Sequence, residues 1–361
     1  MTLFNAFKNR LIIATSNEGS IKLSIGTPNG KFIEKTIKES EWPAYLNDKL
    51  NSGYTEIETE VKKKKLDIHP ELQKLIDISR QIVENNYKFN VTPSKAAIEE
   101  AKQILFALAK TQDLSNFNEG LFSLFSKIPR KMKNPILFTA KDEDDFNSIL
   151  ERENDLLENL NSYEETNDNL DFSFEECTDE KEIKKVKELL GHTVGNRFVA
   201  AYKVKNPEVD KRFEEYCVRE KIVKTSLLKH GSKNQNWYSI MKKGLMVNPV
   251  NVIITGKMFG TGEYFANDAP KALGYTSVAD AKWTNECAGC GYMGIFEVAT
   301  GNEYKTDMWQ TKHSNLDEES FKRNYPGYDS FHALKGTYLR NDEIIVYNSN
   351  ASRMKFLVKI K

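Results

Sequence analysis

The stretch Thr255-Gly256-Lys257-Met258-Phe259-Gly260-Thr261-Gly262-Glu263-Tyr264-Phe265-Ala266 decides how this chain is read. Glycines at 256, 260 and 262 let a turn approach a neighbouring strand or a ligand closely, and an aromatic strand-like segment leaves the turn. Lys271 and Tyr275 follow on the helix-like segment behind it. Two tyrosines so placed, Tyr264 at the turn and Tyr275 beyond it, can sandwich a planar ligand. Upstream, Leu228-Lys229-His230-Gly231-Ser232 leaves a strand-like run and leads into Asn236-Trp237. It sets a ring that can donate or accept beside a glycine whose backbone a ligand can approach. Downstream, Asp342-Glu343-Ile344-Ile345-Val346-Tyr347 opens an apolar strand with a carboxylate, placed to accept a hydroxyl proton or to stabilise a developing cation. Taken singly, each has an ordinary reading: a turn, a loop, a solvated strand edge.

Outward from these motifs, strand-like runs recur at 198–204, 223–228, 292–299, 343–347 and 356–360. A helix carrying Ile183, Val186 and Leu190 ends at Gly191, and only short helices, such as 236–243 before Gly244, lie between the strands. Many strands without regular strand–helix alternation argue against a doubly wound parallel sheet and for a mixed, split sheet. Residues 66–165 switch to helical spacing. Leu72, Leu75, Ile76, Ser79, Ile82 and Val83 share one face, and Thr92-Pro93 is a helix start with a Thr cap and Pro at the first position. Ile98, Ala101, Leu105 and Leu108 continue a second helix. Phe117, Leu121, Leu124 and Phe125 mark a third that stops before Pro129, and Phe146, Ile149, Leu150, Leu156, Leu157 and Leu160 a fourth. Residues 1–65 show no helical period before a helix near 42–50. Leu11-Ile12-Ile13 and 21–25 are short strands. The fold class is α+β and multidomain: a small α+β module at 1–65, an all-α bundle at 66–165 and a mixed split-sheet domain at 179–361.

The 361 residues balance 52 Lys+Arg against 52 Asp+Glu, which excludes a uniformly basic nucleic-acid coat. That balance conceals a polarised chain, because residues 141–180 hold 16 acidic residues against two basic ones. The acidic segment is either the solvated face of the last bundle helix or a source of carboxylate acceptors. Lys62-Lys63-Lys64-Lys65 is a solvated linker or a phosphate-contacting patch. No apolar run approaches the roughly 18 residues of a membrane span, and residues 1–15 lack the apolar core of a signal peptide. Four cysteines suit a reducing compartment. The expectation is an intracellular protein, nuclear in a eukaryote and otherwise cytoplasmic, that meets no membrane. Cys287-Ala288-Gly289-Cys290 lacks the two further ligands that structural zinc requires, so no metal is expected.

In this order, the His-Gly-Ser, Asn-Trp, Met-Phe-Gly-x-Gly-x-Tyr-Phe-Ala and Glu-x-Ile-Val-Tyr elements resemble the catalytic domain of the poly(ADP-ribose) polymerase family. The resemblance implies a His230–Tyr264–Glu343 triad. It implies NAD+ as substrate, held by His230, Gly231, Ser232, Tyr264, Phe265, Ala266, Lys271 and Tyr275, with no metal. Nicotinamide would lie between Tyr264 and Tyr275, with Gly231 gripping its carboxamide through the backbone. Glu343 would stabilise the oxocarbenium-like ribose and activate the acceptor, a role worth ~10²–10⁴-fold. The implied function is transfer of ADP-ribose to protein, the chain itself included, and to growing chains. Residues 121–129 extend the likeness to the helical regulatory domain of the family's DNA-damage-dependent branch. The segments Ile25-Gly26-Thr27-x-x-Gly30 and Asn51-Ser52-Gly53-Tyr54 are similar to that branch's WGR module, which makes broken DNA a candidate partner. Lys22-Leu23-Ser24 stands where that module has Trp-Gly-Arg. Two further departures, Ala272 for a serine and Met246 for an arginine, imply weaker NAD binding. Mono-transfer without DNA activation and a non-catalytic NAD- or nucleic-acid-binding regulator stay open at this point.

Overall fold

A computed structural model of the chain describes residues 2–5, 10–17, 19–26, 32–57, 68–87, 95–132, 134–164, 170–246, 258–278 and 289–361. The expected Thr92-Pro93 cap, the Lys62–Lys65 tetrad, Thr255-Gly256-Lys257 and Cys287 lie outside them. The chain divides into two compact units, Met1–Asp67 and Ile68–Lys361.

The first unit holds β1 (Thr2–Asn5), β2 (Arg10–Asn17), β3 (Ser20–Gly26), β4 (Ile33–Lys38), α1 (Trp42–Asn51) and β5 (Thr55–Ile57). They form an antiparallel sheet in the order β4-β3-β2-β1-β5. Along β3, Ile21 and Leu23 point into the core while Lys22 pairs with Glu34 at 2.8 Å, the period-two alternation of a half-buried strand. The sequence reading finds β2, β3 and α1 but not β4, whose Glu34, Lys35 and Lys38 disguise it as a loop; only Ile37 is buried there.

The second unit begins with α2 (Pro70–Asn86), α3 (Lys95–Leu108), α4 (Leu114–Lys127) and α5 (Asp145–Glu164). Ile98, Leu105, Leu121, Leu124, Ile149, Leu157 and Leu160 close their core, each contributing about 1.5–3 kcal/mol through burial. The Phe117 and Phe146 rings stack at 3.9 Å. Asp113 caps α4 by accepting from the Asn116 amide at 2.8 Å. Within this bundle Arg130 is buried against Glu153, and it also donates to the carbonyl and side chain of Asn86. α2 serves two cores. Its second half, with Val83, closes the bundle. Its first half, Leu72, Leu75 and Ile76, belongs to the core of the sheet that follows.

That sheet is built from β6 (Ser173–Glu176), β7 (Phe198–Lys205), β8 (Ser226–Gly231), β10 (Gly291–Val298) and β14 (Ser352–Ile360), antiparallel in the order β6-β7-β14-β10-β8. β6 starts before residue 179, in what reads from sequence as an acidic linker. Met293, Ile295, Val358 and Ile360 face α6 (Glu180–Gly195) and α9 (Ala269–Leu273). Tyr292, Phe296 and Leu357 face the opposite way, onto α2, α7 (Pro207–Glu220) and α8 (Trp237–Lys243). A second sheet runs β11 (Glu303–Thr306), β12 (Ser330–Ala333), β13 (Glu343–Val346) and β9 (Glu263–Phe265), with α10 (Glu318–Asn324) preceding β12. Only its β11–β12 pair is parallel.

The regular helix breaks at Gly191, as expected, because glycine accepts the φ of 67° there; a further helical turn runs beyond this kink to Gly195, and α6 spans both stretches. One expectation needs correction: the helices between strands are not all short, since α7 spans 14 residues.

Candidate active site

Each of the principal side chains comes from a different element. His230 lies near the end of β8, Tyr264 on β9, Lys271 on α9 and Glu343 at the start of β13. β8 and β9 meet at a single bridge, where Lys229 and Ala266 exchange both backbone hydrogen bonds, at 3.0 and 2.8 Å. Lys229 adds a third link from Nζ to the Asn267 carbonyl at 2.6 Å. The junction carries Tyr264 to His230, whose Nδ1 lies 2.9 Å from the Tyr264 carbonyl oxygen. A carbonyl only accepts, so Nδ1 carries a proton. Trp237, Phe265 and Phe296 surround the ring edge-on.

The Tyr264 hydroxyl donates to the Gly260 carbonyl at 2.8 Å and accepts from the Phe259 amide at 3.0 Å. Burial pushes this phenol far above its ordinary range, so it stays protonated. The turn it grips is held from three further sides. Tyr347 donates to the Phe259 carbonyl at 2.7 Å, Trp309 to the Met258 carbonyl at 2.9 Å, and the Thr261 amide to Leu316 at 2.7 Å. At Gly260, φ is +83° and any Cβ would fall 2.0 Å from the Leu316 carbonyl oxygen, so the motif's central glycine is demanded by packing.

Glu343 is 5% exposed. Its Oε1 meets Lys271 Nζ at 2.5 Å, while Oε2 is buried without a hydrogen-bond partner among the described residues. Burial raises this carboxyl above the usual carboxylate range, and the Lys271 ammonium draws it back only in part. A buried acceptor left open is costly in a folded protein unless a ligand completes it.

Gly231 ends β8 against α9: a Cβ there would sit 1.9 Å from the Ala272 carbonyl oxygen and 3.2 Å from Tyr275 Cβ. Ser232 Oγ accepts from Asn236 at 3.1 Å. Tyr275, just past α9, is partly exposed, and burial together with Glu343 raises its phenol despite Lys271. Phe265 and Ala266 lie in the core behind His230. Of the remaining sequence candidates, the structure joins Lys271 directly to Glu343 and His230 directly to the strand of Tyr264. The ion pair itself is not a sequence finding, because no local spacing connects residues so far apart in the chain. Among the described residues no group of three or more His, Cys, Asp or Glu is arranged to hold a metal ion.

The family described as poly(ADP-ribose) polymerase catalytic domain matches residues 180–361. The chain belongs to the poly(ADP-ribose) polymerase family. It is similar to the putative poly [ADP-ribose] polymerase-like 100L of Invertebrate iridescent virus 6, at 31% identity over 171 residues, 46% of this chain and 87% of that protein. It is also similar to poly [ADP-ribose] polymerase 2 of Homo sapiens, at 31% identity over 180 residues, 43% of this chain and 29% of that protein. Poly [ADP-ribose] polymerase 1 of Danio rerio is 27% identical over 176 residues, 43% of this chain and 16% of that protein. The chain thus spans less than a third of each of these two vertebrate relatives. Its catalytic domain is that of an NAD+-dependent ADP-ribosyltransferase. No helix among the described residues is long and apolar enough to cross a membrane.

Proposed function

We propose that this chain breaks the bond between nicotinamide and ribose in NAD+ and transfers ADP-ribose to protein carboxylates or hydroxyls, its own included, and onward to growing chains. The Oε2 of Glu343, without a partner among the described residues, carries the reading. A buried carboxylate anchored on one oxygen by Lys271 leaves the other to accept a hydroxyl of the donor ribose and to face the cation that forms as nicotinamide departs. Nicotinamide leaves as a neutral molecule, so no strong general acid is called for, in keeping with a Tyr264 phenol held protonated and committed to the 258–260 turn. His230 and Ser232 hold the adenosine side, the Gly231 backbone holds the carboxamide, and Tyr275 flanks the nicotinamide. Tight positioning of this kind contributes up to about 7–11 kcal/mol.

The bundle at 66–165 restrains this site. In support, Lys233, next to Ser232, reaches Asp155 at 3.1 Å and Glu151 at 3.9 Å on α5, and Asn159 donates to Asn236 at 3.2 Å. Residues 1–65 act as a WGR-like module through which broken DNA stimulates turnover; there Trp42 stacks on Tyr45 and Lys49 lies over the Tyr45 ring.

Purified chain with labelled NAD+, with and without nicked DNA, run beside Glu343→Gln on a denaturing gel, tests these proposals. The expected result is a high-molecular-weight smear that grows with DNA and is absent in the variant. A single DNA-independent band would replace polymerisation with mono-transfer, and labelling undiminished in Glu343→Gln would remove Glu343 from the chemistry.

A further inference from the structure

Directly before Glu343 stands Asp342, and its partner is a histidine to which no role has yet fallen. His332 lies on β12 and is 6% exposed. Its Nδ1 is 2.7 Å from Glu303 Oε2 on β11, and its Nε2 is 3.1 Å from Asp342 Oδ2. Each ring nitrogen thus lies within hydrogen-bond distance of a carboxylate oxygen, one on either side of the ring. Glu303 is pinned in turn. Lys224 pairs with its Oε1, and Lys305 Nζ lies 3.5 Å from its Oε2. Burial works against this carboxylate, yet the bonds from Lys224 and His332 hold it below the usual range. At the other end, Asp342 Oδ1 accepts from the Lys335 amide at 2.7 Å, closing the turn that delivers the chain into β13. Strand register places Ala333 opposite Glu343 and His332 opposite Ile344.

We propose that His332 is a positioning residue for the transfer reaction: through Asp342 it ties the entrance of β13 to β11 and so fixes where Glu343 presents its open oxygen. The proposal rests on the assignment of Glu343 above. Lys271 steadies the Glu343 side chain from α9, and the Glu303–His332–Asp342 chain steadies its backbone from the side of β11. Because Glu343 acts on the charge that develops as the bond breaks, loss of this support lowers kcat and leaves NAD+ binding in place.

The experiment measures nicotinamide release, NAD+ dissociation constant and Tm for wild type, His332→Phe, Asp342→Asn, the double variant and Glu343→Gln. His332→Phe keeps the ring volume and removes both bonds. Asp342→Asn is a near-isosteric change at a partly exposed position, and it stands in if the buried substitution fails to fold. Each single variant is expected to lower kcat roughly tenfold, the scale of one charge-assisted hydrogen bond, with NAD+ affinity within about twofold of wild type. The double variant is expected to match the singles, because the two residues act as one link. Wild-type kcat in Asp342→Asn, losses that multiply in the double variant, or an affinity loss as large as the kcat loss would each overturn the positioning role. Glu343→Gln separates the layers. If it turns over normally, the assignment of Glu343 falls and takes the relay with it. If it is inactive while His332→Phe and Asp342→Asn are normal, only the relay falls.

Discussion

Replacing Lys271 by methionine keeps the aliphatic stem and removes the ammonium 2.5 Å from Glu343 Oε1. The Glu343 side chain is 7% exposed and that of Lys271 21%, so the pair is poorly screened by solvent. A hydrogen bond to a charged group contributes about 1.5–3 kcal/mol. With Oε2 already without a partner among the described residues, the variant leaves both oxygens of a buried carboxylate open there, and we place the cost near the upper value, about 3 kcal/mol. If all of it appears at the transition state, kcat falls by roughly 10²-fold. Part of it appears instead as protonation. Burial already raises the Glu343 carboxyl, and Lys271 is what opposes that rise, so the variant's carboxyl rises further and the acid limb of the kcat profile moves to higher pH. The sign for stability follows. A carboxyl whose folded-state affinity for protons exceeds the unfolded one favours folding at acid pH, and that benefit is lost as pH rises through its folded value. Lys271→Met should therefore lose most stability at neutral and alkaline pH and recover toward wild type in acid. The assay is nicotinamide release at saturating NAD+ across that range, with thermal melts alongside and Lys271→Arg as the charge-retaining control. A kcat–pH profile for Lys271→Met that superimposes on the wild type's would refute the reasoning.

Three shorter predictions accompany it. Ala272→Ser with Met246→Arg should tighten NAD+ binding several-fold, the scale of a hydrogen bond of about 1 kcal/mol; an unchanged dissociation constant by calorimetry would show that these departures from the family pattern are neutral. Gly231→Ala drives a Cβ to 1.9 Å from the Ala272 carbonyl oxygen, so we expect a loss of about 3 kcal/mol in denaturant melts as α9 is displaced, together with loss of turnover; wild-type behaviour would mean that α9 moves freely. Asp155→Asn with Glu151→Gln releases Lys233 from α5, and should raise DNA-independent NAD+ consumption severalfold if the bundle restrains the site, whereas an unchanged basal rate argues against restraint.

The strands legible in sequence are those with long apolar or alternating runs, such as β7, β10 and β14. Four-residue strands such as β11 and β12 carry too little pattern to be told from loops, and β12 holds a histidine that becomes interpretable only beside Glu303 and Asp342 in three dimensions. α7 was within reach, since Asn206-Pro207 is a cap followed by proline at the first position and Val209, Phe213 and Tyr216 fall on one face. Dense charge between those residues hid the stripe. The site was legible as a set of motifs, because each depends on a local demand: Gly231 and Gly260 on close backbone approach, Tyr264 on a partner for its hydroxyl. The Lys271–Glu343 pair depends on α9 and β13 meeting, and nothing in either segment alone requires it.

The division of labour within α2 was equally hidden, and it bears on how restraint by the bundle is to be tested. Helical spacing runs unbroken from Leu72 to Val83, yet Leu72, Leu75 and Ile76 sit in the core of the catalytic sheet and Val83 in that of the bundle. Glu71 binds the sheet as well, accepting from the Tyr292 hydroxyl and from Lys359 Nζ at 2.8 Å. Burying three aliphatic side chains is worth about 5–9 kcal/mol at 1.5–3 each, comparable to the whole stability of a typical domain. Removing residues 66–165 therefore strips the catalytic core along with any restraint, and lost activity in such a truncation would say nothing about inhibition. Neutral substitutions on α5 leave both cores intact. A helix shared in this way also gives the bundle a rigid lever into the sheet that carries His230: motion of α3–α5 about the second half of α2 is opposed by the packing of the first half. Among the described residues, the contacts of Lys233 and Asn236 with α5 can break without unfolding either core, and these lie beside the His230-Gly231-Ser232 segment that would hold the substrate.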